Sequence, residues 1–131
     1  MSGESPFLTE LQHAVMRVLW DRGRATVAEV TEALRSDRGL APTTIATILS
    51  RLEKRGVVGH DAAARQFHYF AILTEAEATQ SMVAELTDRL FDGDVTALVS
   101  HLLTAKQISR GDLARVKALI AERERGKERP A

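Results

Sequence analysis

The sequence predicts a mainly α protein with one small β-hairpin. Three observations predict it. Apolar residues recur at three- and four-residue spacing from Leu8 to Leu52, the period of helices with one buried face. The period then breaks into a run rich in β-branched and aromatic residues, from Val57 to Ile72. Helical spacing returns after Thr74 and continues to Ile120.

The first helix is predicted over 8–22, with Leu8, Leu11, Val15, Val18 and Leu19 on one face. Thr9 and Gln12 suit a capping box, and Gly23 marks the end. A second helix follows at 26–36. Thr26 and Glu29 can each satisfy an orphan amide at its start, and Ala28, Val30 and Leu34 supply its apolar positions. Ser36 to Gly39 reads as a turn. A third helix starts near Pro42, which suits a position needing no amide hydrogen, and stops at Gly56. Ile45, Ile48, Leu49 and Leu52 form its buried face, while Thr43, Thr44, Thr47 and Arg51 lie toward the other side.

Residues 57–60 and 66–72 read as an antiparallel hairpin joined by the polar link 61–65. Thr74 and Glu77 form a third capping box. Met82, Val83, Leu86 and Leu90 mark a helix that ends at Asp92-Gly93. Val95, Leu98, Val99, Leu102 and Leu103 mark the next. Ser109 and Asp112 cap the last, which carries Leu113, Val116, Leu119 and Ile120. The charged tail from Glu122 to Ala131 is expected to fray. The order is three helices, a hairpin and three helices. It predicts a winged helix-turn-helix over 1–73, followed by C-terminal dimerisation helices over 74–131.

Composition narrows the function. The chain has 131 residues with 18 basic and 18 acidic side chains, so any basic footprint must be local. The absence of cysteine removes disulfides, thiolate zinc sites and cysteine nucleophiles. No apolar stretch reaches the roughly 18 residues that span a bilayer, so no membrane insertion is expected. The N-terminus lacks the basic and apolar regions of a signal peptide, so the expected location is cytoplasmic. No phosphate loop, dinucleotide fingerprint or metalloprotease helix is present, and the chain is not expected to be an enzyme or to carry a cofactor. Ser100 and His101 point about 100° apart on a helix and cannot form a nucleophile–base pair unaided. His60, Asp61 and His68 could approach across the hairpin to hold a divalent metal. The preferred reading is that they are exposed hairpin residues near phosphate, and no metal is expected.

The third helix suits DNA. One face packs on the protein, and the other presents short hydroxyls and a cation to a groove. Thr43, Thr44 and Thr47 can bond phosphates or base edges, and Arg51 can reach a guanine edge or a phosphate. Lys54 and Arg55 favour the helix dipole and can touch the DNA backbone. Arg65, at the hairpin tip, is placed for the flanking backbone or minor groove. The expected DNA-binding set is Thr43, Thr44, Thr47, Arg51, Lys54 and Arg65. The C-terminal segment has fewer than about 60 residues, a size at which an isolated core is marginal. Leu86, Leu90, Leu98, Leu102, Leu113, Val116 and Ile120 are therefore expected to dimerise it, as a two-fold protein matches a palindromic site. A monomeric helical lid is the alternative.

The combination resembles the penicillinase-repressor family of bacterial winged-helix transcriptional repressors, the BlaI/MecI type, from Leu8 to about Ile120. The residues that carry it are Leu11, Val15, Val18, Leu19 and Trp20, then Thr26, Val27, Glu29 and Val30. Pro42, Thr43, Thr44, Ile45, Thr47, Arg51, Leu52, Lys54 and Gly56 follow, with Phe67 and Tyr69 in the hairpin. The resemblance implies a homodimer whose winged helix binds a palindromic operator through Thr43, Thr44, Thr47 and Arg51. It implies control of β-lactamase or other resistance genes, and release when a membrane sensor protease cuts the dimerisation region. Two positions depart from the family pattern. Ala46 stands where the family often has a longer, basic residue, and His101-Leu102 replaces the Asn-Phe pair associated with cleavage. The cysteine-rich metal site of the copper-responsive sister branch is absent. Two other readings stay open: a ligand-sensing winged-helix regulator, and a protein-interaction module without DNA affinity.

Overall fold

The computed structural model describes residues 8–104 and 108–128. The N-terminal stretch read for a leader lies partly outside them, in residues 1–7. The described residues divide into two compact units on either side of the Glu85–Leu86 bond.

In the first unit, α1 (Glu10–Arg22), α2 (Val27–Ala33), α3 (Arg35–Arg38) and α4 (Pro42–Lys54) precede the strands β1 (Val58–Ala63) and β2 (Gln66–Ala71). Thr9 and Gln12 cap α1 reciprocally at 3.1 and 3.0 Å, and Thr26 and Glu29 cap α2 at 3.2 and 2.8 Å. The core joins Val15, Met16 and Leu19 of α1, Val30 of α2, and Ile45, Leu49 and Leu52 of α4. Val57, Val58 and Tyr69 close it from the hairpin side. Ala28, expected as an apolar position, is exposed, and Val27 packs against the core instead.

Two local expectations are corrected. Ser36 to Gly39 is not a simple turn, because α3 supplies one helical turn there. The amides of Arg38 and Gly39 continue the helical pattern to the carbonyls of Leu34 and Arg35, and Gly39 ends it at φ 59°. The link 61–65 is not irregular either, since β1 runs on to Ala63. Only Ala64 and Arg65 turn the chain, both at positive φ (53° and 65°). That geometry matches the strand twist, but Asn-Gly is its usual sequence signal and neither residue is present here. Ala25 exchanges backbone hydrogen bonds with Tyr69 at 3.0 and 2.9 Å, adding a one-residue edge to the hairpin.

Helix α5 (Glu75–Phe91) begins with the Thr74–Glu77 capping box. Its early turns belong to the first unit, where Ala78 is buried and Met82 packs against the core. The Trp20 indole donates to the Leu73 carbonyl at 2.9 Å, fixing the chain just before α5. The second unit holds the end of α5, then α6 (Val95–Thr104) and α7 (Arg110–Glu128). Asp92 and Gly93 end α5 at positive φ. Ser109 and Asp112 cap α7 reciprocally at 3.0 and 3.2 Å. The tail from Glu122 is helical as far as Glu128; residues 129–131 lie outside the described set.

Candidate nucleic-acid interface

Helix α4 has two faces of opposite character. Ile45, Leu49 and Leu52 are fully buried and Ile48 is half-buried. Thr43, Thr44, Thr47, Arg51 and Lys54 are all exposed. This follows from the helical period, because residues three and four apart share a face. Pro42 opens the helix, and Ala41 before it provides no side-chain cap. The first-turn dipole is therefore not answered by a carboxylate, which favours an approaching anion.

The Thr47 hydroxyl donates to the Thr43 carbonyl at 3.0 Å. Its proton is committed within the helix, so outward it offers lone pairs and a methyl group. That suits a base amino group or a thymine methyl better than a phosphate oxygen. Arg55, read beside Lys54 as a backbone contact, is half-buried and donates to the Gln12 side chain at 3.2 Å. It ties the end of α4 to the start of α1.

Arg65 stands exposed at the hairpin tip. The register pairs His60 with Tyr69 and Asp61 with His68. Consecutive strand residues face opposite ways, so His60 and Asp61 lie on different faces of the wing. His60 turns to Glu53 of α4, whose two carboxylate oxygens lie 2.8 and 2.7 Å from its Nδ1. Asp61 pairs with Arg24, whose guanidinium also lies 5.3 Å from the centre of the Phe70 ring. The three residues considered for a metal do not share one site. Among the described residues, no group of three or more His, Asp or Glu side chains is placed to hold a metal ion.

Two further effects shape this unit. Burial pushes the Tyr69 phenol above its usual value, and the Glu53 charge adds to the shift. Glu10 and Arg38 form a two-pronged pair at 2.8 and 3.3 Å, which holds the Glu10 carboxyl below its usual range. This pair ties α1 to the turn that presents α4. A polar groove of about 900 Å³ runs along α1, with His13, Arg17, Asp21 and Arg38 in its wall. Sequence reasoning missed Arg24 and Glu53. Their partners lie 37 and 7 residues away, and nothing in the local pattern announces either contact.

Of the seven residues expected at a dimer contact, Leu86, Leu90, Leu102, Leu113 and Ile120 are exposed in the single chain. Leu98 and Val116 are half-buried. Among the described residues, no helix is long and apolar enough to cross a membrane.

A model of the penicillinase repressor family matches residues 8–122. The chain belongs to the penicillinase repressor family. It is 24% identical over 123 residues to the penicillinase repressor of Bacillus licheniformis, covering 94% of this chain and 96% of that one. It is 30% identical over 121 residues to the transcriptional regulator BlaI of Mycobacterium tuberculosis, covering 91% and 86%. The solved DNA-binding domain of the repressor BlaI is 29% identical with a TM-score of 0.51, spanning 58% of this chain and 93% of that domain. YusO of Bacillus subtilis, 16% identical with a TM-score of 0.52 over 90% of this chain and 75% of that one, shares the fold alone. Penicillinase repressors are transcriptional repressors and not enzymes. Family and domain together support a DNA-binding winged-helix repressor.

Proposed function

We propose that this repressor binds a palindromic operator as a homodimer, with α4 in the major groove and the hairpin as a wing on the flanking backbone. The observation that carries the reading is the division of α4. Thr43, Thr44, Thr47 and Arg51 are exposed opposite a fully buried Ile45, Leu49 and Leu52. The core fixes the helix, so its outer residues meet a duplex as one rigid set. Thr43 and Thr44 hold phosphate near the helix start, Thr47 and Arg51 read base edges, and Lys54 and Arg65 hold the backbone on either side.

The C-terminal helices supply the second copy. Leu90, Leu102, Leu119 and Ile120 are each more than half exposed in the single chain. Burying the remaining exposed part of each such side chain contributes about 1 to 2 kcal/mol, and the two-fold pairing that offsets the cost of association counts each of them twice. Two-fold pairing then sets two copies of α4 against half-sites separated by whole turns of the duplex.

Operator release by a membrane sensor protease, which the family resemblance implies, requires a cut within α6. His101 and Leu102 lie exposed in that helix, so cleavage there requires local unwinding. The regulated genes would be those of β-lactam or other resistance. Mass spectrometry of the repressor recovered from β-lactam-treated cells distinguishes a cut chain from an intact one.

The test of the central reading is selection of bound duplexes from a random pool, with titration at two salt concentrations. The expected result is a palindrome bound by two chains, with affinity falling as salt rises. Recovery of no sequence preference would overturn the operator reading and favour a protein-interaction module.

A further inference from the structure

We propose that the His60–Glu53 contact couples the wing to the recognition helix, making His60 a positioning residue for operator binding. The inference rests on the operator reading above and assigns a role to two residues that need not touch DNA.

The base of the wing is fixed by backbone. The Val57 carbonyl accepts from the amides of Ile72 and Leu73 at 2.8 and 3.1 Å, and Ala25 bridges to Tyr69. Beyond Tyr69 the hairpin is two-stranded as far as the Ala64-Arg65 turn. An isolated two-stranded ribbon is marginal in water. Its sideways position needs other ties, and two flank it on opposite faces. On one face His60 reaches Glu53. On the other Asp61 reaches Arg24. The two ties attach to different bodies. Arg24 lies in the link between α1 and α2, whereas Glu53 is in the last turn of α4, beside exposed Arg51 and Lys54. The His60 tie therefore joins the two parts of the repressor that would contact DNA.

The chemistry of the contact is directional. A carboxylate only accepts, so Nδ1 of His60 must carry the hydrogen. Both oxygens lie within reach, and the two side chains are only 28% and 35% exposed. The Phe67 ring stacks on the imidazole with centroids 4.0 Å apart and planes 22° apart, covering its outer side. Tyr69 flanks it at 5.6 Å. Phe67 is the diagonal neighbour of His60 across the strands, so the stack and the hydrogen bond hold the same short segment. Fixing the wing before DNA arrives removes an ordering cost from binding. It also lets Arg65 and Arg51 engage one duplex together.

The test compares the full-length wild type with His60→Ala, His60→Asn, Glu53→Ala and the double variant His60→Ala/Glu53→Ala. Asparagine keeps a donor near the Nδ1 position. The readouts are amide exchange in the free repressor, and hydroxyl-radical footprinting with titration on a duplex selected by the wild type. For His60→Ala the expected result is faster exchange at Asp61, Ala63, Gln66 and His68, the hydrogen-bonded pairs of the outer hairpin, with exchange in α4 unchanged. Affinity falls by about three- to tenfold, as for loss of one ordinary intramolecular hydrogen bond. Protection disappears under the wing and persists where α4 lies. His60→Asn restores the flanking protection, and the double variant loses no more than either single. A general loss of folded protein would lower binding without changing the footprint's shape. A wild type that binds duplex, with a His60→Ala footprint and wing exchange identical to it, overturns the coupling alone. A wild type that binds no duplex overturns the operator reading and the coupling with it.

Discussion

Replacing Arg51 with alanine tests the proposed interface at the position where the readings diverge most. Arg51 is exposed on α4, one residue before fully buried Leu52. Its removal leaves the core untouched, and surface changes of this kind stay within about 0.5 kcal/mol of stability. The thermal midpoint should therefore hold. Loss of one good base or phosphate contact costs about 1 to 3 kcal/mol per half-site. A dimer contains Arg51 twice, so the lower end doubles to about 2 kcal/mol, or roughly thirtyfold in affinity at a factor of ten per 1.4 kcal/mol. Salt then separates the two roles. If Arg51 neutralises phosphate, the slope of log affinity against log salt flattens by about 0.9 per contact, or about 1.8 per dimer. If it reads a base edge, the slope stays and discrimination at one symmetric base pair weakens. Fluorescence anisotropy at several salt concentrations measures both. An affinity within twofold of wild type at every salt would remove Arg51 from the interface and refute the reasoning from the outer face of α4.

Three other perturbations have defined outcomes. Leu49→Ala empties a fully buried core position and should cost about 2 to 5 kcal/mol, read as a lower midpoint in denaturant with the slope unchanged. Leu102→Glu places a charge on an exposed apolar face of α6 and should convert the proposed dimer to monomer by sedimentation while leaving the monomer folded; a persistent dimer would move the contact elsewhere. Glu10→Gln removes the charge that pairs with Arg38. The Glu10 carboxyl is held below its usual range, so its stabilising contribution is present at neutral pH and is lost as pH falls through the depressed value. The wild type should therefore lose stability on acidification below the usual carboxylate range more steeply than the Gln variant, and parallel curves would show that the pair contributes nothing.

The helices were legible because each carries its own signals. Thr9 with Gln12, Thr26 with Glu29 and Thr74 with Glu77 all form the reciprocal caps that their spacing implied. The outer and inner faces of α4 follow from period alone. The hairpin was legible as a change of period, but its turn was not. Ala64-Arg65 adopts two positive φ values without the residues that normally advertise them, so Asp61 to Ala63 resembled a polar link. Helix α3 was missed for a related reason. Ser, Asp and Gly signal a turn, and one helical turn satisfies the same chemistry. The pairing of side chains was not legible, because Glu53 with His60 and Arg24 with Asp61 depend on where a helix end and a strand meet.

Those unseen pairs resolve the difficulty posed by zero net charge. A neutral chain binds a polyanion only where its charges are unevenly distributed. In the first unit four carboxylates have partners within the chain. Glu10 holds Arg38, Asp61 holds Arg24, Glu53 accepts from His60, and Glu29 caps α2. Arg51, Lys54 and Arg65 meanwhile remain exposed. Screening over about 8 to 10 Å at ordinary salt lets a duplex respond to these nearest cations rather than to the whole molecule. The proposed basic footprint thus rests on which cations the fold leaves exposed, Arg51, Lys54 and Arg65, and a count of charges along the chain does not reveal that.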